Sequence, residues 1–155
     1  MATRREAIDE LEAAYQRFRA KIADLPDDAY AETWLGSWNL SQVLAHMAGW
    51  FHEMTGAFER VARGERPTPE GVDYSNADPW NAKFAATASP GRAALDVWDL
   101  RYKKYREAAE ALDESFYGEN EGRPKIGNRL LTGAGIHHFA EHEPQLDAWL
   151  ASRRS

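Results

Sequence analysis

The chain contains no cysteine. Disulfides, a thiolate nucleophile and cysteine-held zinc are therefore excluded, and the strong metal ligands left to it are histidine, aspartate and glutamate. Any thiol chemistry has to use a thiol from solution. Positive charge is also scarce: 19 Lys+Arg against 25 Asp+Glu give a net charge of −6, a balance that repels phosphate backbones and makes nucleic acid a poor partner. No stretch approaches the roughly 20 apolar residues of a membrane span. The opening MATRREAIDELEAAYQRF is charged and amphipathic, without the apolar segment of a secretion signal. These absences lead us to expect a soluble cytoplasmic protein with no membrane partner. Strand patterning is missing too, since apolar and polar residues nowhere alternate over a useful length.

What is there is helical periodicity. Ile8, Leu11, Tyr15, Phe18, Ile22 and Leu25 step by three and four, predicting a first helix from about Thr3 to Asp24, stopped by the Leu25-Pro26-Asp27-Asp28 turn. Asn39 with Gln42 three residues on has the form of a capping box, and opens a second helix running to about Arg63 with Val43, Met47, Trp50, Met54, Phe58 and Val61 as its stripe. Ser89-Pro90 is a helix start of the capping-serine and first-turn-proline kind. Leu95, Trp98, Tyr102, Tyr105, Ala109 and Leu112 then follow the same step. A fourth helix spans roughly Asn128 to Ala151. With 155 residues, 43% of them hydrophobic, this predicts one domain over 1–155, all-α, an antiparallel four-helix bundle. The segment from Gly64 to Ser89 is too long for a hairpin loop, so it is expected to be a crossover between helices 2 and 3 with a short helix near Trp80 to Ala86. A second loop, Asp113 to Gly127, should lie over one end of the bundle. Both are candidate lids.

The fourth helix carries His138 and His142 in the run HHFAEHEPQLDAW. At about 100° per residue they fall in a narrow arc with Leu131, Gly135, Leu146 and Trp149, so both imidazoles point toward whatever the helix packs against. Burying two polar rings is costly unless they find partners, and an HxxxH pair on one face offers two nitrogens to one ion. The leading candidate for a third ligand is His46, in GSWNLSQVLAHMAGW. The alternative for His46 is a rim histidine bonded to a backbone carbonyl. His137 and His52 point away and are not expected to ligate.

The run Trp38 to Trp50 resembles the second-helix signature of the DinB-like superfamily of bacterial four-helix bundles, and His138-x-x-x-His142 followed by Gln145 and Leu146 resembles its fourth-helix signature. The resemblance implies a divalent metal, zinc, nickel or iron, held by His46, His138 and His142 at one end of the bundle. It also implies, for several branches, transfer or isomerisation with a low-molecular-weight thiol. Trp34, Gly36, Ser37, Trp38, Ala48 to Trp50, Glu53, the Gly-x-x-Pro at 64 to 67, Asn76 and Asn81 are similar to the colibactin self-resistance subgroup of DfsB-like, DUF1706-type bundles. Members of that subgroup often lack the full histidine set, whereas this chain keeps it.

Three neutral imidazoles leave an ion with an open position, the pattern of catalytic and not of structural sites. An activated water there would suit hydrolysis, and a bound external thiolate would suit S-transfer. The expected function is a metal-dependent enzyme of small-molecule detoxification or modification, of thiol-dependent transferase, isomerase or hydrolase type. The alternatives are a metal-independent cyclopropane-hydrolase-like resistance protein and a non-catalytic small-molecule binder. Glu53, Glu141 and Glu143 are the acids within sequence reach. Glu53 could orient His46 or face water, and the solvent reading is preferred. The run Arg101 to Arg106 reads as a solvated face, with a small anionic substrate as its functional alternative. Pro144 should kink the fourth helix near His142 by freeing the Ala140 carbonyl. Tyr15, Phe18, Trp98, Tyr102 and Tyr105 are many aromatics for a small bundle, so a homodimer is expected to share them.

Overall fold

The computed structural model describes residues 3–154. Helix α1 (Arg4–Ile22) starts on Thr3, whose hydroxyl accepts from the Glu6 amide while the Glu6 carboxylate accepts from the Thr3 amide. This reciprocal cap satisfies two of the free donors of the first turn. Its stripe of Ile8, Leu11, Tyr15, Phe18 and Ile22 is buried. A 3₁₀ turn (Asp27–Ala31) follows, then a small antiparallel hairpin of β1 (Thr33–Leu35) and β2 (Trp38–Asn39). The hairpin delivers Asn39 as the cap of α2 (Leu40–Ala62), with the Asn39/Gln42 capping box formed in both directions at 2.9 Å.

The crossover carries α3 (Ala77–Ala85) and leads to α4 (Ala93–Ala111). The expected start at Ser89-Pro90 falls three residues early. Gly91 has φ +56, a left-handed conformation that ends any helix begun at Pro90, and the Arg92 amide donates to Asp27 Oδ1 instead. The Arg92 guanidinium also reaches the carbonyls of Ala23 and Leu25, so the start of α4 is tied to the end of α1. After α4, a 3₁₀ turn (Glu114–Phe116) and a hairpin of β3 (Glu119–Asn120) with β4 (Arg123–Pro124) form the second loop. Both hairpins escape a periodicity reading because two or three residues are too few to show alternation.

The last bundle helix is one rod in three parts: α5 (Ile126–Leu131), a π-helical turn (Thr132–Ile136) and α6 (His137–Arg153). Gly135 permits the π turn to lie flat on its neighbours, since a Cβ there would stand 2.6 Å from a Leu11 methyl. The helix continues through Pro144, where the sequence predicts a kink, and its departure from α hydrogen bonding lies upstream of His138. Pro144 and Ala140 are both exposed, on the face where water can take up a freed carbonyl.

The four long rods α1, α2, α4 and α5–α6 enclose a single core. Trp98, Tyr102, Tyr105 and Phe18 are at most 2% exposed and Tyr15 is 8% exposed, so the aromatics that prompted the dimer expectation are accommodated within one chain. Among the described residues the large hydrophobic side chains left exposed are Val97 and Leu100. No helix among them is long and apolar enough to cross a membrane.

Candidate metal centre

The Asn39 cap fixes where α2 begins, and His46 follows in its second turn. His138 and His142 occupy the first two turns of α6, directly after the π turn. All three are buried, at 3, 8 and 6% exposure. His46 Nε2 lies 2.9 Å from His138 Nε2 and 3.2 Å from His142 Nε2, and one ring nitrogen of each residue falls within 4.8 Å of the others. The structure thus brings together the three residues singled out from the sequence. It leaves His137 exposed, and His52 exposed on the face toward α4.

The outer nitrogens decide what the inner ones can do. His46 Nδ1 lies 2.7 Å from the Val43 carbonyl, which can only accept. His142 Nδ1 lies 2.7 Å from Gln145 Oε1, also an acceptor. The Ala134 backbone accepts a third bond, from the His138 ring. Each ring therefore carries its proton on the outside and turns a bare Nε2 lone pair inward. The two readings left open for His46 are both realised, because the carbonyl bond is what aims its other nitrogen at the cluster. The His46 nitrogen lies within hydrogen-bonding distance of the other two, and three inward lone pairs with no donor among them repel one another unless a cation sits between.

The electrostatics agree. Burial, reinforced by the charge His142 would carry, lowers the His46 pKa to about 4 against the weaker pull of the Val43 carbonyl. Burial first, and then His46 and His142, holds His138 well below the ordinary range. Neutral imidazole is the form that binds a metal. A tetrahedral zinc-like ion with Zn–N bonds of about 2.0–2.1 Å sets its ligands roughly 3.3 Å apart, close to the two separations observed. The donor set fits a divalent ion, with three protein ligands and an open side.

That open side gives onto a cleft of about 630 Å³ between α2, the crossover and the α5–α6 rod. Trp38, 4.9 Å from His46 between ring centroids, stands at its histidine end. The crossover roofs it through fixed bonds. Trp50 Nε1 donates to Asn81, Tyr74 donates to Glu53 and Arg60 donates to the Pro67 carbonyl. Glu53 is thus neither an orienter of His46 nor a solvated group. Burial and the Glu53 carboxylate raise the Tyr74 hydroxyl to about 12, so it stays protonated at neutral pH. Glu141 lines the cleft beside the histidines, while Glu143 is taken by Arg17 and Lys21 on α1. In the Arg101–Arg106 run, Arg106 pairs with Glu12 and Glu110, and Lys103 with Glu107, which makes it mostly a paired helix face. Sequence reasoning missed the orienting role of Gln145 and the cleft residues Arg129 and Tyr74. The i+3 spacing of Gln145 from His142 was the available signal.

Residues 6–145 match the family model described as the DinB superfamily. No curated protein matches. Two solved structures share the fold. One is a Streptococcus pneumoniae protein solved as a structural genomics target, with TM-score 0.80, 11% identity and coverage of 97% of this chain and 92% of that one. The other is DfsB, a sibling lethal factor precursor, with TM-score 0.80, 15% identity and coverage of 100% of this chain and 99% of that one.

Proposed function

Because the chain belongs to the DinB superfamily, we propose that it is a divalent-metal-dependent enzyme that modifies or detoxifies a small molecule, with His46, His138 and His142 holding the metal. The observation that carries this reading is the inward set of Nε2 lone pairs, each fixed by an outer bond to Val43, Gln145 or Ala134. Three ligands and an open position are the arrangement of catalytic sites, where the ion acts as a Lewis acid. The protein's own contribution is to hold the rings neutral and aimed, to wall the reaction off with Trp38 and Trp50, and to place the Glu141 carboxylate in the cleft as a proton acceptor. With no cysteine in the chain, a thiol-dependent reaction would draw its thiol from the cleft as a second substrate.

Elemental analysis of protein purified without a metal-affinity tag tests the reading. One zinc, nickel or iron per chain is the expected result, and a chain that remains metal-free after saturation and dialysis overturns it. A second reading, a metal-independent hydrolase similar to the colibactin-resistance subgroup, draws support from the Trp34, Ser37, Trp38 and Glu53 pattern and from the full-length likeness to DfsB. Turnover that survives complete metal removal would select it. A non-catalytic binder would show ligand uptake in that cleft and no product.

A further inference from the structure

One charged side chain of the cleft has no role in the reading above. Arg129, exposed on α5, lines the cleft and makes no ion pair among the described residues. It contrasts with Arg19, Arg106 and Arg153, each of which meets a carboxylate. Among the described residues it is also the one Lys or Arg side chain in the cleft wall. The α5–α6 rod presents to the cleft an i, i+3, i+4 ridge from Arg129 through Leu130, Gly133 and Ala134 to His138 and Glu141. His138 lies nine positions on from Arg129, about 13 Å along the axis at roughly 1.5 Å per residue. A free cation and the histidine cluster therefore stand at opposite ends of one slot.

Gly133 lies midway. Its φ is not positive, so the backbone does not require glycine, and a Cβ built there meets nothing within 4 Å. Gly135, two residues on, is demanded by Leu11 and Tyr105. No protein atom demands Gly133. What its missing side chain leaves is room in the slot, between apolar walls that include Trp50, Met54 and Leu130.

We propose that the cleft binds an elongated apolar molecule ended by an oxyanion, with the anion on Arg129, the chain passing over Gly133 and the other end at the histidine cluster. A guanidinium pairs with carboxylate or phosphate oxygens in bidentate geometry, and the partly enclosed slot strengthens that pair over an exposed one. The inference rests on the metal reading only for which end of the ligand reacts.

The test titrates the full chain, followed by tryptophan fluorescence, with two probes: the monohydroxamate of decanedioic acid and decanohydroxamate. They share the hydroxamate and the chain and differ only in a terminal carboxylate or methyl. Metal content is measured in the same samples. The carboxylate-ended probe is expected to bind the wild-type chain about ten-fold more tightly, and Arg129→Ala to remove that advantage while leaving metal content and the methyl-ended probe unchanged. Equal affinity of the two probes for wild type, or an advantage that survives Arg129→Ala, overturns the proposal. A Gly133→Leu variant, whose side chain enters the slot and not the core, is expected to weaken both probes at least ten-fold with metal and melting temperature retained. Undiminished binding of both overturns the path over Gly133. Metal-free protein would sink the histidine assignment and leave the comparison of probes decisive, because the advantage is a difference between ligands with the same hydroxamate.

Discussion

The bundle buries polar groups along two seams, and it treats them differently. Between α1 and α4, Tyr15 and Tyr102 stack at 3.7 Å, and each hydroxyl donates to a carboxylate on the opposite helix. Tyr15 meets Asp99, which Arg19 holds bidentately, and Tyr102 meets Glu12, which Arg106 holds at 2.8 Å. Donor, acceptor and counter-charge are all supplied by the chain. Between α2 and α6, by contrast, His46, His138 and His142 turn three acceptors toward one point and no donor answers. A closed network is a way of fixing two helices. An open one is costly to the fold alone, and the cost marks the place where something else must bind.

The comparison breaks most directly at the histidines. His138→Ala or His142→Ala should remove the metal altogether, from one ion per chain to none by elemental analysis, with most far-UV helicity retained because the rods are held elsewhere. His46→Ala should do the same. If that variant alone keeps full affinity, the third ligand is not His46. Gln145→Ala comes next in size. It deletes the acceptor that aims His142 and should weaken metal affinity about 10–100-fold without removing a ligand, as read by competition with a chromophoric chelator. An unchanged affinity would mean that the His142 ring is held by packing alone.

How much of this contrast was legible in the sequence depended on length and on spacing. The histidine pair could be read because i and i+4 on an apolar stripe share a face whatever the helix packs against, and the Asn39/Gln42 box placed the start of α2 that carries His46. The four long rods were legible for the same reason. The two hairpins were not, having strands of two or three residues. Neither was the start of α4, where Ser89-Pro90 carries a helix signal that Gly91 then overrides with a positive φ. Pro144 pointed to a kink near His142, while the π turn at Thr132–Ile136 left no mark in the pattern of apolar residues. The slot was beyond reach, since Arg129 and Gly133 acquire their meaning from what the crossover leaves uncovered.

Acidification should separate the seams by pH. Unfolded, a histidine takes its proton near pH 6.5, whereas His46 in the fold takes one only near 4 and burial holds His138 well below its ordinary range too. Between those values the unfolded chain binds more protons, so stability is present in full above pH 6.5 and is lost as pH falls toward 4. For His46 alone the loss reaches on the order of 2 kcal/mol by pH 5. His52, lowered by burial and then by Arg101, adds in the same direction, and His52→Asn removes that share. Thermal melts of metal-free protein at pH 7.5 and pH 5 check it, and equal melting temperatures would contradict the buried neutral rings. Glu12 on the α1–α4 seam stays out of this window, because it is held below its ordinary value: burial would raise it, and the bonds from Tyr102, Gln16 and Arg106 outweigh that.

The smallest effect belongs to the closed seam and is the sharpest control. Tyr102→Phe keeps the ring that stacks on Tyr15 and deletes only the hydroxyl that donates to Glu12 at 2.6 Å. Glu12 retains Arg106 and Gln16, so no carboxylate is left bare and the loss is that of one bond to a charged acceptor, about 1.5–3 kcal/mol. In a domain of this size such a loss lowers the melting temperature by several degrees. Metal content and the affinity for both hydroxamate probes should not move, because nothing in the α1–α4 network touches the cleft. A Tyr102→Phe chain that loses metal would mean that the two seams are mechanically one. A chain that melts unchanged would mean that the stacked rings, and not their hydroxyls, hold α1 to α4.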